Sequence, residues 1–164
     1  MMLIRLTYFS RNHLDRWYRT IDRGIAEIVA TSTASNLRDG ITGALIYDRN
    51  WFAQVLEGSQ SEVSATFERI LRDQRHGDVS LVTMQPIARR CYPGSAMVAV
   101  PRGEDNHDLF RHHCEGEGFD PRQMRADRLS DLIQAVVQGS SQGDAHGRQG
   151  DIRPRFADAE EGPG

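Results

Sequence analysis

Alternating apolar and polar positions near the start of the chain predict a half-buried strand. Within residues 3–10, one face carries Ile4, Leu6 and Tyr8, the period of two expected of a strand. Between residues 20 and 35 the apolar side chains recur at intervals typical of an amphipathic helix, which we expect to end near Asn36. The apolar face of each element should point into the core.

Two further apolar stretches, 41–48 and 51–58, are separated by only two polar residues. This spacing is typical of a tight β-hairpin, so the two strands should be antiparallel neighbours. Ser59 precedes Glu62 by three residues, the pattern of a capping box at a helix N-terminus. Apolar residues follow at helical spacing, and a second helix is therefore expected through about Asp73.

Two more strands are predicted at 79–87 and 95–100, divided by a segment that contains Pro93 and Gly94. The elements then follow in the order βαββαββ. This order favours an α+β fold, a ferredoxin-like sandwich with both helices on one face of the sheet. We take residues 1–100 as one domain, and this domain leaves the other face of its sheet bare.

The composition changes beyond the last predicted strand. We expect a helical extension over 101–138, with a short helix at 106–114 and a longer one that begins at Asp120 and Pro121. The longer helix carries an apolar stripe of Leu129, Leu132, Ile133, Val136 and Val137. Either the bare sheet face or a second subunit should cover this stripe. Residues 139–164 are rich in glycine and poor in apolar residues, so we expect a disordered tail.

Length, charge and cysteine content restrict the class of protein. The 164 residues can bury one core but hardly two. A net charge of −3 argues against a nucleic-acid partner, because neutralising phosphates needs an excess of Lys and Arg. The apolar runs are strand-sized and the start of the chain lacks an export signal, so we expect a cytoplasmic protein without membrane attachment. Two cysteines form neither a disulfide framework nor a zinc ribbon.

Tyr8 and Gln54 are polar residues on strand faces that are otherwise apolar. Gln54 shares its face of the third strand with Phe52 and Leu56. A buried amide without a partner costs roughly 1–3 kcal/mol, and a buried phenol also usually finds a hydrogen bond. From the pattern alone, the two side chains bond to each other or to the backbone, or they belong to a functional site.

Other candidate residues can also be explained by local structure, without a functional site. Asn36 stands where asparagine often forms a left-handed helix cap, and Gly40 and Gly43 permit tight turns or close backbone approach. Beyond the second helix lies a polar cluster that could simply be solvated, formed by Asp73, Arg75 and His76. A metal site is not expected among consecutive residues that share no helix face, namely His112, His113 and Cys114.

Five ordered segments of the first hundred residues carry a further signal. They are LTYFS at 6–10, NLRDGITGALIY at 36–47, FAQVLEG at 52–58, ILRDQRH at 70–76 and the strand that contains Met97. Together they resemble the BLUF domain, a blue-light sensor that uses FAD. The resemblance covers about residues 3–100 and is most specific between Asn36 and Glu57. Many members of this family carry tryptophan two residues before the methionine, where this chain has Ser95.

The resemblance implies a flavin between the two helices, with FAD as the expected cofactor and FMN as the alternative. Asn36 and Gln54 would face the polar rim of the ring, because an amide both donates and accepts hydrogen bonds. Ile41 and Ile70 would sandwich the ring. The other carbonyl edge, or the ribityl and phosphate groups, would be contacted by Asp73, Arg75 and His76.

The same resemblance implies a photoreceptor rather than an enzyme. Tyr8 would give an electron and Gln54 would pass a proton, after which Gln54, rotated or tautomerised, would donate a new hydrogen bond to the flavin and shift its absorption to the red. Ser95 and Met97 would carry the change to the edge of the sheet. Signalling would then need contact within a homo-oligomer or with a separate effector protein.

Two functions of other classes remain open from the sequence. The fold could serve a flavin-dependent oxidoreductase whose pocket admits a substrate, or a protein-interaction module that does not respond to light. A flavin band that shifts to the red under blue light and recovers in darkness distinguishes the receptor from both.

Overall fold

In the computed structural model, which describes residues 1–143, the strands and helices follow one another in the order βαββαββαα. The strands are β1 (Leu3–Asn12), β2 (Thr42–Tyr47), β3 (Trp51–Ser59), β4 (His76–Pro86) and β5 (Val98–Pro101). The helices are α1 (Ile21–Asp39), α2 (Gln60–Arg72), α3 (His107–His113) and α4 (Ala126–Gly143). Short 3₁₀ turns occupy Leu14–Arg16, Glu104–Asn106 and Pro121–Gln123.

The five strands form one mixed sheet in the spatial order β4-β1-β3-β2-β5. β1 lies antiparallel to β3 and β4, β2 is antiparallel to β3, and β5 adds to the edge of the sheet parallel to β2. The predicted ferredoxin-like α+β arrangement is therefore confirmed. In the register of the sheet, Tyr8 lies opposite Gln54 and Gln54 lies opposite Leu45, so their side chains share one face.

The apolar core on the face covered by α1 and α2 consists of two clusters. The cluster under α2 contains Ile4, Leu6, Tyr8, Ile41, Leu56 and Val63. The cluster under α1 contains Leu14, Ile25, Ile28, Leu45, Tyr47 and Phe52. Met97 packs against both clusters, so it lies at their junction.

Helix α4 covers the opposite face of the sheet. All five apolar residues of its predicted stripe are buried there. They pack in one cluster with side chains of β2 and β3 that include Ala44, Ile46, Trp51, Ala53 and Val55. Of the two covers considered from the sequence, the bare sheet face is the one that the structure shows.

Several boundaries differ from the sequence predictions. Helix α1 continues to Asp39 and ends at Gly40, whose φ of 66° is the left-handed conformation that glycine adopts without strain. Asn36 therefore lies inside the last turns of the helix and not in a left-handed cap. Gly43 does allow close approach, because a Cβ there would collide with the carbonyl oxygen of Val55. The Ser59 cap of α2 is confirmed, since its Oγ accepts the N–H of Glu62 at 3.4 Å.

The last strand and the last helix begin later than predicted. β5 starts at Val98, because the carbonyl of Ala96 accepts a hydrogen bond from the Asn36 side chain at 2.7 Å instead of joining the ladder. Asp120 and Pro121 begin only a 3₁₀ turn, because the backbone at Met124 is extended. α4 then runs to Gly143, into the stretch expected to be disordered. The rest of that predicted tail, 144–164, lies outside the described residues.

Candidate functional site

Tyr8 and Gln54 meet at the centre of the sheet face beneath the two helices. Tyr8 is fully buried, Gln54 is 5% exposed, and the Tyr8 hydroxyl donates a hydrogen bond to Gln54 Oε1. Burial, together with the nearby charge of Asp73, raises the pKa of Tyr8 well above its usual value. The phenol therefore stays protonated. Of the partners left open by the sequence, the structure shows that the two side chains bond to each other.

The amide nitrogen of Gln54 faces Met97. Gln54 Nε2 lies 3.4 Å from Met97 Sδ, and a thioether is a weak acceptor. Tyr8, Gln54 and Met97 thus form a continuous chain of contacts across three segments of the fold. Met97 and Ser95 both precede β5, and the Ser95 carbonyl accepts the N–H of Gly43 at 3.0 Å.

Asn36 reaches the same segment from α1. Its side chain is 2% exposed, and Nδ2 donates to the Ala96 carbonyl, the residue immediately before Met97. The structure therefore brings Asn36 and Gln54 to neighbouring points on one short stretch of backbone. Sequence reasoning placed both residues at the site but did not predict this bond.

Apolar side chains of α2 and of Ile41, the residue before β2, lie on one side of the pair. Ile41 is 2% exposed and belongs to the cluster under α2, and the half-buried Ile70 packs against the same cluster. Phe67 places its ring centroid 5.4 Å from that of Tyr8. Phe67 was missed, although its helical spacing with Val63 and Ile70 was a usable signal.

Asp73 and Arg75 pair with each other in the short connection between α2 and β4. Arg75 donates from Nη2 to Asp73 Oδ2 at 2.7 Å and from Nε to both carboxylate oxygens. Burial favours a higher pKa for Asp73, but the hydrogen bonds and charge of Arg75 outweigh it and hold the pKa below its usual value. The same bonds raise the pKa of Arg75. The two residues thus form a half-buried ion pair.

His76 turns inward beside the Tyr8 ring. Its Nδ1 lies 2.8 Å from Ser10 Oγ, and its ring centroid lies 4.8 Å from that of Phe52. Burial lowers the pKa of His76 to about 4, so the imidazole is neutral near pH 7. Ser10 was missed by sequence reasoning, although the alternation that placed Tyr8 on the core face includes it.

These side chains fit a flavin ring, which needs apolar walls and polar groups along one edge. The two apolar clusters supply the walls, and Asn36 and Gln54 supply amides at their junction. Among residues 1–143, Gln54 Nε2 has only the thioether of Met97 as its partner, so a stronger acceptor at that point would be favourable. The helices that flank the junction are tied by an ion pair between Asp39 and Arg69 at 3.1 Å.

Residues 1–143 hold neither a cluster of metal ligands nor a membrane-spanning helix. No three side chains among their His, Cys, Asp and Glu residues come together as a metal site would require. None of the helices in this part of the chain combines the length and apolar character needed to cross a membrane.

Two curated proteins are similar to part of this chain. The photoactivated adenylate cyclase subunit beta of Euglena gracilis is 37% identical over 91 residues, which are 56% of this chain and 10% of that protein. The blue light- and temperature-regulated antirepressor of Escherichia coli is 30% identical over 78 residues, 48% of this chain and 18% of that one. The chain therefore spans a tenth to a fifth of these curated relatives.

Solved structures extend the likeness to most of the described fold. The photo-activated state of BlsA matches 83% of this chain and 95% of its own, with a TM-score of 0.74 and 26% identity. The dark state of BlrB, a BLUF protein, matches 82% of this chain and 96% of its own, with a TM-score of 0.65 and 32% identity. The sequence model of one family, BLUF, described as sensors of blue-light using FAD, matches residues 3–98. This chain belongs to the BLUF family.

Proposed function

We propose that Tyr8 and Gln54 are the light-responsive switch of this blue-light receptor and that Met97 transmits its state. The observation that carries the proposal is the unbroken chain from the Tyr8 hydroxyl to Gln54 Oε1 and from Gln54 Nε2 to Met97 Sδ. Both ends of the Gln54 amide are engaged, so any change at this side chain must alter its contact with Tyr8, with Met97 or with both.

Tyr8 and Gln54 have different parts in the switch. A bound flavin would supply absorption of blue light and an electron acceptor. Tyr8, a neutral phenol, would give up an electron, and its proton would pass to Gln54 along the existing hydrogen bond. Both would return to Tyr8 when the radical pair collapses, leaving the Gln54 amide rotated or tautomerised. Because amide oxygen and nitrogen have opposite hydrogen-bonding functions, the result is a second discrete arrangement and not a graded one.

The remaining site residues hold the cofactor in this proposal. Asn36 binds the polar edge of the ring, supported by its burial beside Gln54. Ile41 and Ile70 contact the ring, supported by their place in the cluster under α2. The far carbonyl edge, or the ribityl and phosphate groups, is assigned to Asp73, Arg75 and His76, supported by their position at one end of that cluster.

We assign the output to contact with other protein molecules. One relative is named as a subunit of a cyclase and another as an antirepressor, so the segment they share with this chain accompanies different activities. This supports a separate effector protein, with no catalysis by residues 1–100. Action within a homo-oligomer is part of the same assignment. Cytoplasmic location is supported by two free cysteines, Cys91 exposed and Cys114 half-buried, which suit a reducing compartment.

Substitution of the two switch residues tests the proposal. Tyr8→Phe removes the donor and Gln54→Leu removes the amide, so each variant should bind flavin and lose the light-induced red shift. The measurement is the light-minus-dark absorption spectrum of purified protein. Tyr47→Phe is the matched control, because Tyr47 is another buried tyrosine of the same sheet and should keep the full shift.

The outcomes that contradict the proposal are equally definite. A full red shift in either Tyr8→Phe or Gln54→Leu would exclude the assigned switch. Turnover with a nicotinamide donor, with bleaching and no shifted band, would favour the oxidoreductase instead. Protein that stays colourless and cannot be loaded with flavin would favour the light-insensitive module.

A further inference from the structure

We propose that Glu57 is a positioning residue of the light switch, which anchors the segment 87–97 between β4 and β5 and thereby holds Met97 against Gln54. The proposal rests on the function proposed above for Gln54 and Met97. It assigns a role to a buried carboxylate that lies outside the site already described.

Glu57 lies on β3 with its side chain on the face opposite to Gln54. Its side chain is completely buried. A buried carboxylate is strongly unfavourable unless charges and hydrogen bonds compensate it, and here Arg5 supplies the charge. Arg5 Nη2 lies 2.8 Å from Glu57 Oε1, and Arg5 Nε donates to the same oxygen at 2.9 Å.

Apart from the Thr42 hydroxyl, which donates to Glu57 Oε2 at 3.5 Å, the other donors to Glu57 come from the backbone of segment 87–97. The N–H of Cys91 lies 3.0 Å from both carboxylate oxygens, and the N–H of Tyr92 donates to Oε2 at 3.1 Å. These bonds join two stretches of chain more than thirty residues apart. Glu57 therefore fixes the middle of the segment to the centre of the sheet.

Further bonds hold the segment on either side of this anchor. Arg90 donates to the carbonyl oxygens of Glu57 and Gly40, each at 2.8 Å. Nearer to Met97, the carbonyls of Ser95 and Ala96 are bound by Gly43 and Asn36. The segment is thus bonded at residues 90–92 and again at 95–96, immediately before Met97.

Glu57, which anchors the segment, and Gln54 of the proposed switch lie on the same strand, β3. Loss of the anchor can therefore affect the surroundings of Gln54. Glu57 and Gln54 are three positions apart on β3, and the strand is hydrogen-bonded on both sides. Holding residues 91 and 92 on this strand keeps Met97 Sδ at 3.4 Å from Gln54 Nε2. If the anchor is released, Met97 can withdraw, water can reach Gln54, and the amide can return to its dark arrangement with less hindrance.

Dark recovery after blue light is the measurement that tests this role. In Glu57→Gln, the introduced NH₂ group competes with the N–H groups of Cys91 and Tyr92, so the segment should loosen. We expect bound flavin and a normal red shift, with recovery faster by roughly fivefold. Amide hydrogen exchange of segment 87–97 should rise in the same variant.

A double variant distinguishes positioning from general destabilisation. Met97→Ala should also speed recovery, and Glu57→Gln with Met97→Ala should recover no faster than Met97→Ala alone, because both changes remove one contact. Asp120→Asn, which breaks an exposed ion pair with Arg122, is the control and should leave the recovery rate unchanged. Arg90→Met, at a half-buried arginine of the segment, should act like Glu57→Gln and replaces it if that variant does not fold.

Unchanged recovery in a flavin-loaded anchor variant would overturn the proposal, as would independent, multiplicative effects in the double variant. Failure of the proposed function has a different signature, because Tyr8→Phe or Gln54→Leu would then keep the red shift. The two proposals can thus fail separately.

Discussion

Burial sets the protonation state of the residues around the switch. It raises the pKa of Tyr8 far above neutrality and lowers that of His76 to about 4, so both side chains are uncharged near pH 7. The charged groups beside them, Asp73 and Arg75, pair with each other at 2.7 Å. A proton that moves between Tyr8 and Gln54 therefore starts in a network without a net charge of its own.

The low pKa of His76 predicts an acid-sensitive fold. The unfolded chain binds a proton at this residue near pH 6.5 and the folded chain only near pH 4, so acid favours unfolding across this range. Titration of His76 leaves the free energy of unfolding unchanged well above pH 6.5 and lowers it by about 3 kcal/mol on acidification to pH 4. Urea unfolding of flavin-free protein at several pH values measures it.

His76→Gln provides the comparison for this prediction. The variant keeps the carboxylates that titrate in the same range, so the difference between the two proteins isolates His76. Its free energy of unfolding should depend less on pH between 6.5 and 4. Identical pH dependence in both proteins would mean that His76 is not buried as a neutral group.

At the scale of elements, α4 is the helix that completes the core. Residues of its stripe that are essentially inaccessible, such as Leu132 and Ile133, pack against β2 and β3 on the face opposite to the switch. Burying a side chain of this size contributes about 1.5–3 kcal/mol relative to exposure. A sheet without this cover would present a continuous apolar surface to water.

Truncation of one stripe residue tests the contribution of α4. Leu132→Ala should lower the free energy of unfolding by about 2–5 kcal/mol, because it removes buried methyl groups and leaves a cavity. Denaturant unfolding measures the change. Leu37→Ala is the matched control on α1, since Leu37 is 70% exposed and its loss should change stability by no more than about 0.5 kcal/mol. Equal effects of the two substitutions would contradict the packing of α4.

At the scale of the whole molecule, β4 is the long outer strand of the sheet. It pairs with β1 on one side, and it exposes two large apolar side chains, Leu81 at 51% and Met84 at 43%. Outer strands of this kind can pair with a second chain. We therefore expect the homo-oligomer to form through β4.

Sedimentation analysis checks this expectation. The protein should associate in a concentration-dependent manner, and Leu81→Lys combined with Met84→Lys should give a monomer with an unchanged red shift. Leu71→Lys is the control, because Leu71 is similarly exposed at 52% but lies on α2. A wild-type chain that remains monomeric, or equal loss of association in the control, would rule out this interface.

The sequence by itself was sufficient to predict most of the elements and the strand faces on which the proposed switch residues lie. Side-chain alternation put Tyr8 and Gln54 on the inward face of their strands, because strand parity is a local property. The cap at Ser59 could be predicted for the same reason, since its bond spans three residues. The segments shared with the BLUF family then identified the function from the order of a few residues.

Tertiary structure alone decided which distant segments meet. The cover of the α4 stripe, the bond from Asn36 to Ala96 and the anchoring of Cys91 by Glu57 all join residues far apart in the chain. Glu57 had one usable signal. It lies three positions from Gln54 on β3, which puts its carboxylate on the opposite face of the sheet, one of the two covers considered for the apolar stripe. Periodicity tells which face of an element is buried, but it carries no information on the partner, which depends on how the whole chain packs.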